Sequence, residues 1–362
     1  MKRVLFAIST MGGGGAERVI AALANRWNAE GIEVGILTIY GTRQDYALSE
    51  GVHHFPIVCK NKIRLLRPME RIGAIRRTVK EFAPDCVISF LADVNIHMIR
   101  ACRGLGIPLV VSERNDPTRD PSKAWVRRMR DKLYKRTQGA VFQTEDAAGY
   151  FAGLLPKTVP TAIIPNPLTE GLPYHVYEPE CRRLVTACRL NSQKNLPMMI
   201  MAVKAAREKG ADCVLDIFGE GPLRGELEAL IEREGLTGSV RLPGFSRSVH
   251  EEMAHSAAFL ISSDYEGISN SMLEALAIGT PAVATDCPVG GAKMYIRTGE
   301  NGYLIPVGDT AAMTEAILAL LSDPERAEEM GRRATEIREE LRVDRIVSRW
   351  SAFLAGVLEA KA

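Results

Sequence analysis

The sequence predicts an α/β protein made of two doubly wound, Rossmann-like domains that face each other across a cleft. Its 362 residues exceed what one ordinary hydrophobic core accommodates, so about two domains are expected. Short apolar runs alternate with helix-length segments, which indicates parallel strands joined by crossover helices. The runs are apolar almost throughout, as is typical of strands buried on both faces of a sheet.

The first domain is expected over residues 1–168. Its predicted strands lie at residues 4–9, 33–39, 86–90, 109–112, 140–143 and 162–164, and its clearest helices at 16–30 and 67–82. A linker is predicted over residues 169–180, because prolines at 167, 173 and 179 break the pattern and no periodicity is visible.

The second domain is expected over residues 181–342, where the alternation begins again. Its predicted strands lie at 184–187, 213–218, 240–242, 258–261, 282–285 and 302–307, and its helices at 197–209, 223–234, 271–278 and 310–321. A last helix, residues 343–358, carries apolar side chains at helical spacing and could pack on either domain.

The composition is that of a globular protein, with 46% hydrophobic and 25% charged residues. No apolar run approaches the roughly 18 residues that a membrane-spanning helix needs. The apolar start of the chain reaches the glycines at 12–15 too soon for a signal peptide, so a cytoplasmic protein is expected. The seven cysteines show no C-x-x-C spacing and no histidines at metal spacing, so we expect buried free thiols and no metal site.

Charge is distributed unevenly between the two predicted domains. Residues 1–168 hold 25 lysines and arginines against 15 acidic residues, whereas the rest of the chain is net acidic. Residues 60–80 are strongly basic, and so are residues 123–136, where Trp125, Met129 and Leu133 recur at helical spacing. A basic helix with an apolar stripe suits an anionic membrane surface such as the inner membrane face, with packing of the stripe on the core as the alternative. Nucleic acid is not expected as a partner, because no aromatic platform or known binding fold accompanies the charge.

The strongest motif follows the predicted strand at 258–261. Glu266 lies in a loop that opens a helix near residue 271, and Glu274 lies about one turn inside that helix. Carboxylates accept hydrogen bonds from paired hydroxyls, and the free N–H groups at a helix start attract anions. The intervening loop therefore predicts an anion site, formed by Gly267, Ile268, Ser269 and Asn270.

Two cations follow the first strand of the second domain. Arg189 and Lys194 are five positions apart on one loop, so their side chains can converge on a diphosphate, although solvated surface cations are the alternative. Donors aimed at developing phosphate charge can lower a reaction barrier by several kcal/mol, so we predict that both residues act in catalysis.

Glycine-containing loops follow three other predicted strands. The first domain has Gly14 and Gly15 at the start of its first helix, where a nicotinamide-binding fingerprint fails because Arg18 replaces the third glycine. The second domain has two such loops, one with Gly219 and Gly221 and the other with Pro243, Gly244 and Phe245. Glu113, Arg114 and Asn115 follow a first-domain strand and are expected to face the cleft, with a structural ion pair between Glu113 and Arg114 as the alternative.

Together these motifs resemble family 4 of the retaining GT-B glycosyltransferases, which includes bacterial lipopolysaccharide, capsule and exopolysaccharide transferases. The resemblance extends from the E-x7-E pair through residues 277–286 and 302–309. It implies that Glu266 contacts the donor sugar and acts in catalysis, Glu274 contacts the ribose hydroxyls, and Arg189 and Lys194 neutralise the leaving diphosphate. It also implies that residues of the glycine-containing loops contact the donor, namely Gly14, Gly15, Gly219, Gly221, Pro243, Gly244 and Phe245. The acceptor-side candidates are Glu113, Arg114 and Asn115. Three departures are Cys188 where glycine is usual, Arg114 near a usual histidine, and Met294 where an acid is common.

The resemblance implies a GT-B fold and sugar transfer, with retention, from a nucleoside-diphosphate sugar to a glycan or glycolipid acceptor in bacterial surface polysaccharide biosynthesis. UDP is the family's commonest donor nucleotide, and neither a cofactor nor a metal is implied. The last helix would return to the first domain. The alternatives are an epimerase or hydrolase of GT-B shape and an inactive scaffold at the membrane.

Overall fold

The computed structural model describes residues 1–59, 63 and 66–360. The chain divides into two compact units, the first formed by Met1–Pro167 and Val343–Ala362 and the second by Leu168–Arg342. Each unit is a Rossmann-like α/β layer structure around a fully parallel sheet. The predicted fold class of two doubly wound α/β units is therefore confirmed.

The first unit has a seven-stranded sheet in the order β3-β2-β1-β4-β5-β6-β7. Its strands are β1 (Arg3–Ile8), β2 (Glu33–Thr38), β3 (Val52–Pro56), β4 (Cys86–Phe90), β5 (Leu109–Ser112), β6 (Gly139–Phe142) and β7 (Thr161–Ile163). Its helices up to residue 167 are α1 (Gly15–Ala29), α2 (Arg67–Phe82), α3 (Ala92–Cys102), α4 (Ala124–Tyr134) and α5 (Glu145–Ala152).

The edge strand β3 is missing from the sequence prediction. Its burial alternates between half-buried and exposed positions, and it contains His53 and His54, so it lacks the continuous apolar run of a central strand. The neighbouring β2 has the continuous buried run that β3 lacks, although it contains Gly35. A Cβ at Gly35 would press on Leu5 and Phe55, so this glycine allows close packing within the sheet.

The second unit has a six-stranded sheet in the order β10-β9-β8-β11-β12-β13. Its strands are β8 (Arg183–Ala187), β9 (Val214–Phe218), β10 (Val240–Gly244), β11 (Ala258–Ile261), β12 (Ala282–Thr285) and β13 (Tyr303–Ile305). Its helices are α6 (Leu196–Glu208), α7 (Arg224–Arg233), α8 (Val249–Ala254), α9 (Asn270–Ile278), α10 (Ala292–Tyr295), α11 (Thr310–Ser322), α12 (Pro324–Ala334) and α13 (Ile337–Glu340).

The last helix, α14 (Val343–Glu359), belongs to the first unit. Trp350 is fully buried, and its ring stacks on Phe90 with the centroids 5.8 Å apart. The indole N–H of Trp27 donates to Ser351 at 3.0 Å. The apolar face of α14 therefore completes the core of the first unit.

Residues 164–182 form no helix or strand, and the part from Leu168 onward belongs to the second unit. The Arg338 guanidinium donates to the carbonyls of Leu172 and Pro173 and lies 3.7 Å from the Tyr174 ring centroid. The compact second unit therefore begins at Leu168, whereas the sequence placed its start at residue 181. The reason is that burial of leucines 168 and 172 ties an irregular segment to a core.

The apolar stripe of helix α4 is only partly buried, because Met129 and Leu133 are half-buried and Trp125 is exposed. The buried residues of α4 are Arg130 and Tyr134, whereas Trp125 is 62% exposed. On α2, Met69 is also exposed. Of the basic residues predicted near α2, Lys60, Lys62 and Arg64 lie outside the described residues.

No helix in the described part of the chain combines the length and apolarity needed to cross a membrane. All seven cysteines are free thiols, as predicted. Four of them are buried, at positions 86, 102, 213 and 287, and the other three are partly exposed.

Candidate active site

The strand order of the second sheet places two loops side by side. The chain runs from β8 outward through β9 to β10 and then returns to form β11 on the other side of β8, so the order reverses between β8 and β11. Open α/β sheets bind ligands at this reversal, beyond the carboxyl ends of the strands. Lys194 lies on the loop after β8 and Glu266 on the loop after β11, so both occupy the expected position.

Lys194 and Glu266 form an ion pair, in which the ammonium Nζ donates to Glu266 Oε1. Their side chains are 17% and 14% exposed, so the pair is shielded and still borders solvent. The hydroxyl of Ser263 donates to the same carboxylate oxygen at 2.8 Å, and Gln193 Nε2 lies 3.3 Å from the other. The carboxylate is therefore held by three side chains.

The charge state of Lys194 follows from two opposed effects. Burial lowers the pKa of Lys194, but the adjacent Glu266 carboxylate outweighs it, so the pKa of Lys194 lies above its ordinary value. Lys194 is therefore a cation at neutral pH. A shielded cation of this kind can bind a phosphate oxygen strongly.

The two loops are also joined through their backbones. Ser262 Oγ donates to the Lys194 carbonyl at 2.7 Å, and the Asp264 N–H donates to the Gln193 carbonyl at 2.9 Å. Asn195, whose φ of 42° is left-handed, donates from its side chain to Asp264 Oδ1 at 2.8 Å. These bonds fix the position of Lys194 relative to Glu266. Three residues that hold the two loops together were not predicted as site residues, although each adjoins a predicted site residue or strand: Gln193, Ser263 and Asp264.

Glu274 lies on α9 and is 4% exposed. Thr169 Oγ1 donates to its Oε1 at 2.9 Å, and His250 Nε2 lies 3.2 Å from its Oε2. The structure thus places Glu274 in the same unit as Glu266, but its carboxylate is more deeply enclosed. Neither Thr169 nor His250 was predicted as a site residue, because neither belongs to a strand-end motif.

The predicted anion loop, residues 267–270, leads into α9. Ser269 caps the helix, because its hydroxyl accepts from the Met272 N–H at 3.4 Å. The Gly267 carbonyl accepts from the Gly291 N–H at 2.7 Å, and a Cβ at Gly291 would overlap Ile268. Gly291 therefore lets the segment after β12 support this loop.

The glycine loops of the second unit pack against the loop after β8. Gly219 has a left-handed φ of 125°, and a Cβ there would overlap the carbonyl oxygen of Cys188. A Cβ at Gly221 would overlap the backbone of Leu190. These two glycines are needed for close backbone approach, which positions the loop that carries Arg189.

The remaining predicted donor contacts of the second unit differ in exposure. Gly244 is buried, and its carbonyl accepts from the Gly219 N–H at 2.8 Å. Pro243 is exposed, and Phe245 is 76% exposed. Arg189 is exposed as well, and among the described residues its guanidinium has no hydrogen-bond or ion-pair partner. Arg189 and Phe245 are therefore accessible to a ligand.

In the first unit, Gly14 precedes α1 and its carbonyl accepts from the Tyr46 hydroxyl at 2.8 Å. The Glu17 carboxylate fills the space beside Gly14, where a Cβ would overlap it. Gly15 is the first residue of α1. Contact of Gly14 and Gly15 with the donor stays a prediction.

The acceptor-side candidates lie after β5, and two of them are buried. Glu113 accepts from the Tyr134 hydroxyl at 2.9 Å and lies 3.8 Å from Arg130 Nη1. Burial raises the pKa of Glu113 to about 7, while Arg130 opposes this rise. Its cationic side-chain partner is therefore Arg130, whereas the expected alternative was Arg114.

Arg114 is 9% exposed and lies with its guanidinium 4.2 Å from the Phe90 ring centroid. It donates to Asn166 Oδ1 at 2.8 Å, and burial lowers its pKa to about 9. Asn115 is half-buried and accepts from the Asp116 N–H at 3.0 Å. A role for these residues toward an acceptor stays a prediction.

Within the described residues, no three His, Cys, Asp or Glu side chains cluster in a way that could hold a metal ion. The expected metal independence stays a prediction.

Two family models match this chain. One is described as a glycosyl transferase 4-like domain and covers residues 14–167, and the other is described as glycosyl transferases group 1 and covers residues 179–337. Together they span most of both units.

Curated relatives include an exopolysaccharide phosphotransferase of Streptomyces coelicolor, 35% identical over 61% of this chain and 24% of that protein. This chain thus spans about a quarter of that relative's length. An α-1,4-N-acetyl-D-galactosaminyltransferase of Campylobacter jejuni, named for an undecaprenol-diphosphate-linked acceptor, is 24% identical over 99% of this chain and 100% of its own length.

Among solved structures, a protein of Anabaena in complex with UDP and glucose superimposes with a TM-score of 0.82 at 18% identity, covering 98% of this chain and 100% of that one. The two parallel-sheet Rossmann-like units therefore define a protein of the GT-B fold. The chain belongs to family 4 of the GT-B glycosyltransferases, as its motifs predicted.

Proposed function

We propose that this chain transfers a sugar from a nucleoside-diphosphate sugar to a glycan acceptor in bacterial surface polysaccharide biosynthesis. The observation that carries the proposal is the shielded Lys194–Glu266 pair at the strand-order reversal of the second sheet. A cation and a carboxylate held together at this position can bind the two chemically different parts of such a donor, the diphosphate and the sugar hydroxyls.

In the proposed reaction the bond between the anomeric carbon and the diphosphate oxygen breaks, and its electron pair stays on the diphosphate. A bond forms between the anomeric carbon and an acceptor hydroxyl oxygen, which loses its proton. Lys194 and the exposed Arg189 stabilise the negative charge on the leaving diphosphate. Glu266 exchanges its contact with Lys194 for contacts with the sugar hydroxyls as the phosphate becomes the new partner of Lys194.

The finer features of the proposal rest on family membership and on named relatives. Retention at the anomeric carbon is the mode of the family that the motifs resemble. UDP as the nucleotide is supported by the Anabaena complex, and a lipid-linked acceptor by the Campylobacter relative. Charge stabilisation by Arg189 and Lys194 supplies a reason why neither a metal nor another cofactor is needed.

Association with an anionic membrane surface, as a peripheral protein on the inner face, is also proposed. It is supported by the excess of basic residues in the first unit and by the exposed side chains of Trp125 and Met69 on α4 and α2. A lipid-linked acceptor would be presented at such a surface. Sedimentation with phosphatidylglycerol vesicles measures this association directly.

The test is a panel of sugar nucleotides scored for nucleoside diphosphate release, with and without a membrane glycolipid extract. We expect release to depend on the extract, and Lys194→Ala and Glu266→Ala each to lower kcat/KM by about 10²–10³-fold, as for loss of one group that stabilises developing charge. Lys209→Ala is the matched control, because Lys209 forms an exposed ion pair with Glu315 in the same unit.

Three outcomes would contradict the proposal. Rapid release or epimer formation from the donor alone would indicate a hydrolase or an epimerase. Full activity of both Lys194→Ala and Glu266→Ala would exclude the assigned site. Absence of turnover with every donor, in the presence of extract, would favour an inactive scaffold.

A further inference from the structure

The Glu274 carboxylate is contacted by two side chains that come from distant parts of the second unit. Thr169, in the irregular segment before β8, donates from Oγ1 to Oε1 at 2.9 Å. His250, on α8, has Nε2 3.2 Å from Oε2. The two partners therefore engage different oxygens of one carboxylate.

The depth of Glu274 makes these contacts energetically important. Its side chain is 6% exposed, and an ionised carboxylate at that depth is costly unless donors replace its water. Thr169 has one hydroxyl proton to give. Nε2 of His250, 3.2 Å from the other oxygen, makes an ion-pair contact with the carboxylate when the ring carries a positive charge.

The placement of the two donors restricts how Glu274 can turn. Contacts on different oxygens resist rotation of the carboxylate about χ3. Without such contacts, this torsion angle takes a wide range of values. A carboxylate has about four lone-pair positions, so it can accept from ring hydroxyls in addition to donors from the protein. Two adjacent hydroxyls on a ring need both oxygens in one defined plane.

We propose that Thr169 and His250 are positioning residues that orient Glu274 toward the two adjacent hydroxyls of the donor ribose. They thereby set the preference of this site for ribonucleotides over 2′-deoxyribonucleotides. The inference rests on the proposed function, in which Glu274 contacts the ribose.

A purely structural role for the two residues makes a different prediction. If Thr169 and His250 only satisfied a buried carboxylate, their loss would lower the stability of the unit and weaken all nucleotides by the same factor. An orienting role instead weakens the ribonucleotide selectively, because the 2′-deoxy analogue cannot offer the second hydroxyl. The ratio of two dissociation constants therefore separates the roles.

The experiment is isothermal titration calorimetry with the nucleoside diphosphate that the panel identifies, UDP in the expected case, and with its 2′-deoxy analogue. We expect the wild-type chain to prefer the ribonucleotide by at least about tenfold, the scale of a hydrogen bond to a charged group. Thr169→Val and His250→Leu remove the donors at similar side-chain size. Each should reduce that preference at least about threefold.

Conservative variants provide the matched controls. Thr169→Ser keeps a hydroxyl, and His250→Gln keeps a donor near the Nε2 position, so both should retain most of the preference. Thermal unfolding of each variant identifies any that fail to fold. If one of the two apolar variants does not fold, the other and its conservative partner still decide the question.

The outcomes distinguish this inference from the proposed function. If Glu274→Gln loses the preference while Thr169→Val and His250→Leu keep it, the positioning role is wrong and the ribose contact stands. Equal weakening of both nucleotides by the two apolar variants also overturns the positioning role. If Glu274→Gln keeps the preference, or the wild-type chain has none, the assignment of Glu274 to the ribose fails as well.

Discussion

The carboxyl ends of the two sheets both carry charged side chains, but the two units use them in opposite ways. In the second unit, Lys194 and Glu266 are paired at the border of solvent, with side chains 17% and 14% exposed. In the first unit, Glu113 and Arg130 lie 3.8 Å apart with side chains 1% and 0% exposed. The two charged pairs therefore differ in their access to solvent, although both lie beyond the carboxyl ends of strands.

Helix α4 is the source of this difference. It turns Arg130 and Tyr134 toward Glu113 and leaves the side chain of Trp125 exposed. Arg130 also donates to the carbonyls of Pro117 and Asp120, so it satisfies backbone groups that no strand satisfies. The Glu113 carboxylate after β5 is thus enclosed within the unit, whereas the Lys194–Glu266 pair after β8 and β11 borders solvent.

The largest expected effect that tests this contrast is loss of the buried cation. Arg130→Ala should destabilise the first unit by about 3–5 kcal/mol, because it removes the cation beside the buried Glu113 carboxylate and the donor to two backbone carbonyls. All three tryptophans, at positions 27, 125 and 350, lie in the first unit, so urea unfolding followed by tryptophan fluorescence reports on that unit.

The matched variant for this comparison is Lys194→Ala, which should leave the fluorescence transition unchanged while it lowers turnover. If Lys194→Ala shifted the urea midpoint as much as Arg130→Ala, the two charged pairs would not differ in their contribution to stability.

A second prediction concerns the pH dependence of the first unit. Burial raises the pKa of Glu113 to about 7, above its value in the unfolded chain, so the folded state holds this proton more tightly. The resulting stability is present at low pH and is lost as the pH rises toward 7, with a slope of at most about 1.4 kcal/mol per pH unit. Glu113→Gln should flatten the profile of the tryptophan-detected urea midpoint between pH 5 and 7.

The readout of that experiment is the slope, since the substitution also alters the contact with Arg130 and so shifts the midpoint at every pH. Parallel pH profiles for the wild-type chain and Glu113→Gln would show that Glu113 ionises normally despite its burial.

The smallest predicted effect is a fall in turnover caused by a substitution beside Glu266 in the second unit. Ser263→Ala removes one donor from the Glu266 carboxylate, while Lys194 and Gln193 keep their contacts. We expect kcat/KM to fall by about fivefold, which corresponds to roughly 1 kcal/mol for one hydrogen bond. Ser322→Ala, at the exposed end of α11, is the surface control. An unchanged kcat/KM would mean that Lys194 and Gln193 suffice to hold the carboxylate.

The sequence by itself determined the fold class, most central strands and the candidate set Arg189, Lys194, Glu266 and Glu274. These features are local, because a buried parallel strand is a continuous apolar run and its ligand loop follows it directly. The same rule failed for β3, since an edge strand with His53 and His54 has no such run.

Only the tertiary structure decided which charges pair and which face of a helix is buried. Lys194 and Glu266 are 72 residues apart in sequence, and Thr169 and Glu274 are 105 apart. Arg130 and Tyr134, the buried residues of α4, likewise contact Glu113, which lies in the loop after β5. Hydrogen bonds and burial between distant segments have no local signature, so the support of Glu274 by Thr169 and His250 became visible only once the chain was folded.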